Sequence, residues 1–360
     1  MNNKKLRELR DDIDRLDFEL LKLLRTRMET ALKIRKFKTT DEILDISREQ
    51  QVIERVVRQT ESLGLLSSEF TQHLFSKIME ESRTIQAKGH NLIGFQGEHG
   101  AYSEVAARAY NPELVYIPCP EFADVFESVS RGYLDLGIVP VENTLGGAIT
   151  QVNELLIDTE LHLIGEIKIP IHHCLLALPG TDHREIRTVY SHPQGLTQCR
   201  DFLARNHLEP HPYYDTAGSA KMLSIERPKA SAAIASALCA DIYNLEIIKE
   251  RIEDHEENKT RFLVISREKP TEPGTKCSVI FSVAHHAGAL FEIVRVFAES
   301  NINLTRIESM PNRDNPGNYY FFMDFEGNVQ DGKVQHALNV MQQHTMMYKF
   351  LGCYKEVAPQ

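Results

Sequence analysis

The sequence predicts a multi-domain fold in three parts: an all-α helical unit over residues 1–89, an α/β unit over 91–268, and a βαββαβ ferredoxin-like unit over 276–355. Three observations carry this. The chain has no proline before Pro112, and Gly64 is the only glycine before Gly89. Apolar residues recur there at a 3–4 spacing, as amphipathic helices require. From Asn91 short apolar runs alternate with helical stretches, the pattern of α/β layers. After the break Lys269-Pro-Thr-Glu-Pro-Gly-Thr come strand, helix, two strands, helix and strand, the ferredoxin-like order.

Composition narrows the class. At 42% hydrophobic and 26% charged, the 360 residues read as an ordinary globular chain too long for one core. No run of about 18 apolar residues occurs, and the amino terminus lacks an apolar signal region, so a cytoplasmic protein with no membrane partner is expected. Six scattered cysteines without CxxC spacing read as buried thiols, so no metal site is expected. The net charge of −10 argues against nucleic acid as a partner. An anionic ligand must then be held by local cation clusters.

Helix one, about residues 4–38, carries an apolar seam of Leu6, Leu9, Ile13, Leu16, Leu20 and Leu23. The register continues onto Arg27, then Thr30 and Ile34. A cation on an apolar seam is unfavourable unless an anion meets it. Lys38 falls three turns further on, about 20° off the same face, and Arg10 borders the seam. Arg10 and Arg27 lie roughly 25 Å apart along one straight helix, so their convergence needs an antiparallel second chain. Helix two runs from near Asp45 to Leu63, stopped by Gly64, and Asp45, Arg48 and Glu49 extend its apolar stripe of Val52, Ile53 and Val56. Helix three, capped by Ser67 or Ser68 and ending near Lys88-Gly89, leads from Phe75, Ile78 and Met79 to Ser82 and Gln86. This cation-rich set suits a small dicarboxylate with a hydroxyl. By spacing alone, a dimerisation coiled coil with edge salt bridges fits equally.

In the α/β unit the strand candidates are Leu92–Phe95, Val115–Ile117, Leu136–Val141, Leu163–Ile167, Cys174–Ala177, Val189–Ser191 and Phe262–Ser266. Polar clusters sit at their ends. Gly94-Phe-Gln-Gly-Glu-His-Gly is a strand-to-helix turn whose amides could face an anion, or simply turn the chain. Pro140-Val-Glu-Asn-Thr, Ser191-His-Pro-Gln, Thr216-Ala-Gly-Ser and Asn258-Lys-Thr-Arg-Phe complete the set. A lone His192 is ordinarily structural, and no serine has a nucleophile-elbow context. In the last unit the strands are Cys277–Val283, Leu304–Met310, Tyr319–Phe325 and one near Tyr348–Cys353, with helices Ala289–Ser300 and Lys333–Gln343.

Residue identity goes further than spacing. Leu6-Arg-Glu-Leu-Arg-Asp-Asp-Ile-Asp-Arg-Leu-Asp with Asp45-Ile-Ser-Arg-Glu resembles the all-helical chorismate mutase domain of bacterial phenylalanine biosynthesis. The resemblance implies an intertwined dimer and a site of Arg10 (from the neighbouring chain), Arg27, Lys38, Asp45, Arg48, Glu49, Ser82 and Gln86. Lys38 and Gln86 would act on the breaking ether oxygen. Thr260-Arg-Phe, with Glu142-Asn-Thr and Ser191-His-Pro-Gln, resembles prephenate dehydratase, whose two α/β lobes enclose substrate as periplasmic binding proteins do. That implies Thr260 as the catalytic group. Glu142, Asn143, Thr144, Ser191, His192, Gln194, Thr216, Ser219, Arg261 and Phe262 would bind prephenate, with Arg261 supplying charge for a carboxylate.

Residues 276–355 resemble an ACT domain. Gly288, Ala289 and Leu290 match one effector motif, and Glu308 and Ser309 match a second, in which Met310 departs from the usual arginine. The resemblance implies L-phenylalanine as effector, chorismate and prephenate as substrates, no metal or organic cofactor, and a homodimer or higher homo-oligomer. A binding protein that senses aromatic acids without turnover, or an enzyme active only as dehydratase, are the rival readings.

Overall fold

The computed structural model describes residues 2–38, 43–313 and 315–358. The chain divides into two compact units at the Leu92–Ile93 junction. No described helix is long and apolar enough to cross a membrane.

The first unit is α1 (Asn2–Arg35), α2 (Ile46–Leu63) and α3 (Ser68–Ala87). Asp45 caps α2 by accepting from the Arg48 amide, Gly64 ends it at φ 72°, and Ser67 caps α3 by accepting from the Phe70 amide. Buried Thr60 and Thr71 hydrogen-bond at 3.0 Å to tie α2 to α3. Helix α1 stops at Arg35, three residues short of the expected end, so Lys38 lies in the turn that follows it. The apolar seam stays uncovered by its own chain: Leu6, Leu9, Ile13, Leu16, Leu20 and Leu23 are 47–66% exposed.

The second unit begins with β1 (Leu92–Gln96), α4 (Tyr102–Tyr110), β2 (Val115–Cys119), α5 (Phe122–Ser130), β3 (Leu136–Asn143), β4 (Gly147–Ala148), α6 (Thr150–Asp158) and β5 (His162–Pro170). A second lobe follows: β6 (Cys174–Ala177), β7 (Thr188–Ser191), α7 (Pro193–Gln198), α8 (Arg200–Arg205), β8 (Glu209–Pro212), α9 (Thr216–Glu226), β9 (Ser231–Ala235), α10 (Leu238–Tyr243) and β10 (Glu246–Lys249). The chain returns to the first lobe as β11 (Lys259–Ser266), then forms β12 (Lys276–Ser282), α11 (Ala289–Glu299), β13 (Leu304–Pro311), β14 (Tyr319–Glu326), α12 (Gly332–His344) and β15 (Met347–Val357). Strand β9, Ser-Ala-Ala-Ile-Ala, is fully buried and was not expected, because alanine-rich segments carry a helical preference that sheet burial overrides.

The second lobe has its own sheet, ordered β10-β6-β9-β7-β8. The first lobe and the C-terminal βαββαβ unit share one sheet, ordered β13-β14-β12-β15-β5-β11-β3-β1-β2. The junction is the parallel pairing of β15 with β5, Lys355 opposite Gly165. Gly352 permits it, since a Cβ there would sit 2.2 Å from the Leu163 carbonyl oxygen. All six cysteines are buried free thiols.

A buried ionic cluster pins this junction. Arg261 on β11 donates to Glu166 on β5 at 2.6 Å, to Asp324 on β14 at 2.5 Å and to the Tyr354 hydroxyl on β15 at 3.1 Å. Lys276 on β12 donates to Glu166 at 2.7 Å. Burial pushes the Glu166 carboxyl up, but Arg261 and Lys276 more than offset this and hold it at about 2. Asp324→Ala leaves Arg261 buried with one counter-charge fewer and is expected to destabilise the unit by about 3–5 kcal/mol, read as a fall in thermal midpoint.

Candidate functional site

In the helical unit, Arg27 on α1 donates to Ser82 Oγ on α3 at 2.5 Å, and Ser82 donates to the Ile78 carbonyl at 2.8 Å. Burial lowers the Arg27 pKa. Gln86, one turn beyond Ser82, is buried, and among the described residues its Oε1 and the buried Arg35 Nε have no hydrogen-bond partner. A buried amide oxygen and guanidinium N–H left unmatched are what a ligand site leaves open. Glu49 on α2 pairs with Arg83 on α3, a residue that sequence reading passed over. Asp45 is exposed and held as a cap by the Arg48 amide, then by Ser47, which together lower its pKa. Arg10 and Arg48 are exposed. Within one chain the folded unit therefore sets Arg27 on α1 against Ser82 on α3, one turn from Gln86, and leaves Arg10 exposed further toward the start of α1.

In the second unit a cleft of about 510 Å³ opens between the lobes. Asn143, Thr260 and Phe262 line one wall; His192, Gln194, Asp215 and Thr216 line the other. Antiparallel pairing of β11 with β3 sets Thr260 directly opposite Asn143. The Asn143 Oδ1 accepts from the backbone amides of Leu145 and Gly146 at 3.1 and 2.7 Å, which fixes its amide orientation. Its Nδ2 then donates to Asn258 Oδ1 at 2.8 Å and to Thr260 Oγ1 at 2.9 Å. Thr260 is thus an acceptor toward Asn143, and no acceptor among the described residues takes its proton. The hydroxyl hydrogen is free to point at a ligand.

Through Asn258 this chain of bonds continues to Gln198, His173 and Tyr102, which the sequence did not single out. Asn258 donates to Gln198 Oε1 at 3.2 Å, and His173 Nε2 contacts the same oxygen at 2.8 Å. His173 Nδ1 lies 2.8 Å from the Tyr102 hydroxyl. Burial lowers the His173 pKa, which favours a neutral ring donating to Gln198; the single Tyr102 proton is then shared between His173 Nδ1 and the His172 carbonyl, each 2.8 Å away. Asp215 caps α9 by accepting from the Gly218 amide at 2.6 Å, and burial raises its pKa despite that bond. The acid limb of cleft activity is accordingly expected at higher pH than an unperturbed aspartate would set and shifted by Asp215→Asn, measurable in a pH–rate profile.

Five expected ligand residues do not line this cleft. Arg261 alternates to the opposite sheet face, where Glu166 and Asp324 hold it, so it cannot serve a carboxylate beside Thr260. Glu142, its cross-strand neighbour, lines the same opposite face. Thr144 donates to the Glu257 carbonyl at 3.1 Å. Ser191 is fully buried and donates to the Ile234 carbonyl at 2.8 Å, and Ser219 to the Thr216 carbonyl at 2.6 Å. Nor is the glycine-rich turn an open anion cradle. Buried Glu104 accepts from the Gly100 amide at 2.8 Å and from Arg108 at 2.6 Å, with His99 at 3.1 Å. Burial pushes Glu104 up; His99 and these donors bring it down to about 2.

Glu104 and Glu166 thus sit below the ordinary glutamate value of 4.5. A depressed folded pKa stabilises the fold fully above the unfolded value and is lost as pH falls through the folded one. The thermal midpoint should therefore fall between pH 4.5 and about 2, and Glu104→Gln should flatten that slope.

At the C-terminal unit, Gly288 starts α11 at φ 91°, with Ala289 buried behind it. Glu308 on edge strand β13 bonds to Arg306 and Asn153, and Ser309 is exposed.

Comparison with known proteins fits each part to a family. The family models for chorismate mutase type II, prephenate dehydratase and the ACT domain match residues 9–87, 93–270 and 278–340. A bifunctional chorismate mutase/prephenate dehydratase of Escherichia coli K12 is 35% identical over 374 residues, covering 96% of this chain and 95% of that one. An arogenate dehydratase/prephenate dehydratase of Arabidopsis thaliana is 40% identical over 275 residues, covering 73% and 72%. The solved prephenate dehydratase of Arthrobacter aurescens, in complex with L-Phe, superposes with TM-score 0.67 at 31% identity, covering 73% of this chain and 89% of that one. Three domain types in one order, and a relative aligned almost end to end, identify the chain as a member of the bifunctional chorismate mutase/prephenate dehydratase family.

Proposed function

We propose that residues 1–89 rearrange chorismate to prephenate, that the cleft in residues 91–268 converts prephenate to phenylpyruvate, and that L-phenylalanine bound to residues 276–355 inhibits the second step, all in the cytoplasm. The direction of the Thr260 hydroxyl carries the dehydratase reading. It accepts from Asn143, and no acceptor among the described residues takes its proton, so that proton is available to a ligand in the cleft. Prephenate then loses the ring C–OH bond: the leaving oxygen departs hydrogen-bonded to Thr260 and becomes water with one proton drawn from solvent, so Thr260 ends the step protonated. The electrons of the breaking C–CO₂ bond close the aromatic ring as carbon dioxide departs. A threonine is a weak free acid, so its part is an oriented hydrogen bond that strengthens as charge develops on the leaving oxygen. Phe262 supplies the apolar wall, His192, Gln194 and Thr216 face the substrate, and Asn143 orients Thr260.

The mutase step is a unimolecular rearrangement that needs no nucleophile, only a held conformer and charge at the breaking ether oxygen. Arg27 would clamp a carboxylate, Lys38 and Gln86 would reach the ether oxygen, and Asp45, Arg48, Glu49 and Ser82 would complete the set. The exposed seam of α1 supports a homodimer in which Arg10 of a second copy joins this site. Sedimentation that finds a monomer with full mutase activity would exclude the shared site.

A coupled assay tests the whole reading: supply chorismate, follow its loss, and measure phenylpyruvate with and without phenylalanine. Binding of these ligands without turnover would leave the sensor reading in its place.

A further inference from the structure

Helix α6 touches the cleft at one end and meets the C-terminal unit through Asn153, Glu154 and the Ile157 carbonyl. Ile149, Thr150 and Gln151, at its start, line the cleft. One turn later Asn153, 1% exposed, meets β13. Its Nδ2 donates to Glu308 Oε1 at 3.2 Å and its Oδ1 accepts from Arg306 at 3.0 Å, while Arg306 donates to Glu308 Oε2 at 2.5 Å. The three side chains close a ring of hydrogen bonds that fixes all of them. Further along, Arg313 pairs with Glu154 at 2.9 Å, and Lys349 donates to the Ile157 carbonyl at 2.7 Å and to the Thr159 carbonyl. Before α6, the chain turns through Gly146, whose amide binds the Asn143 that orients Thr260. A shift of α6 therefore reaches both the cleft wall and the Thr260 hydroxyl.

We propose that α6 is the coupling element between the effector site and the dehydratase cleft, with Asn153 as the positioning residue through which it acts. The inference rests on the reading of Glu308 as an effector contact. An α-amino acid carries an ammonium group, and Glu308 is the carboxylate that would meet it. Drawing Glu308 to that charge opens its bonds to Asn153 and Arg306 and frees α6 from the state that supports turnover. Coupling of this kind requires the effector to favour one arrangement over another, here an opened ring over the closed one observed.

The test uses the full chain as wild type, Asn153→Ala and Lys349→Gln, with phenylalanine binding followed by calorimetry and prephenate turnover followed against phenylalanine. Asn153→Ala is expected to bind phenylalanine and turn over prephenate, yet its inhibition factor, on the order of 10-fold in the wild type for coupling of this kind, falls toward unity. Lys349→Gln, which releases only the far end of α6, loses part of the inhibition and gives the same readout should Asn153→Ala not fold. If wild type binds and both variants are inhibited as strongly, the α6 proposal is overturned while the effector reading stands. If wild type itself does not bind phenylalanine, the effector reading falls and takes this proposal with it.

Discussion

Thr260→Ala should slow prephenate turnover by on the order of 10²–10³-fold and leave chorismate consumption intact, so that prephenate accumulates from chorismate. The loss corresponds to about 3–4 kcal/mol, the usual effect of removing one preorganised donor. Alanine removes the Thr260 proton, which no acceptor among the described residues takes. Thr260→Ser keeps that hydroxyl and should recover most of the rate. Asn143→Ala should lie between wild type and Thr260→Ala, because it frees the hydroxyl to rotate without deleting it. Equal turnover by wild type and Thr260→Ala would remove Thr260 from the chemistry.

Arg27→Ala should have the complementary effect. Chorismate consumption should fall by on the order of 10²–10³-fold, while added prephenate is still converted to phenylpyruvate. Arg27 is held against Ser82, beside the buried Gln86, and burial already lowers its pKa. Its charge is therefore placed at a desolvation cost that a carboxylate ligand offsets. Arg27→Lys should restore little, since an ammonium lacks the planar two-donor edge that matches a carboxylate. Circular dichroism separates this from unfolding: loss of helix along with loss of mutase activity would mean that Arg27 holds the bundle and not the substrate.

Much of this was legible before any tertiary contact was known. The three helices, with their caps at Asp45 and Ser67 and the stop at Gly64, follow from side-chain periodicity and local hydrogen bonding within a few residues. The same is true of the strand order in the last unit and of the motifs around Thr260. Chain ends and sheet faces were less secure. The expected extension of α1 to Lys38 failed at Arg35, and strand β9 escaped notice because its alanines carry no period-2 signal. Asn258 sat within a recognised motif, yet its part in orienting Asn143 depends on a partner 115 positions away.

Arg261 marks the boundary between the two kinds of information. Its neighbour Thr260 and its charge made it a credible substrate ligand, and strand alternation alone turns it from the cleft. Only the docking of β14 and β15 beside β5 supplies Asp324 and Tyr354 and makes it the centre of a buried ionic cluster. Asn153 is the same kind of case, an unremarkable helix residue until β13 brings Glu308 and Arg306 to it. By itself the sequence determined most of the helices and strands, the order of the three parts and the family, because those depend on residues close in the chain. Which charges face substrate and which lock one part to another was decided by tertiary structure alone, because burial and partners far along the chain set the energy of a charge.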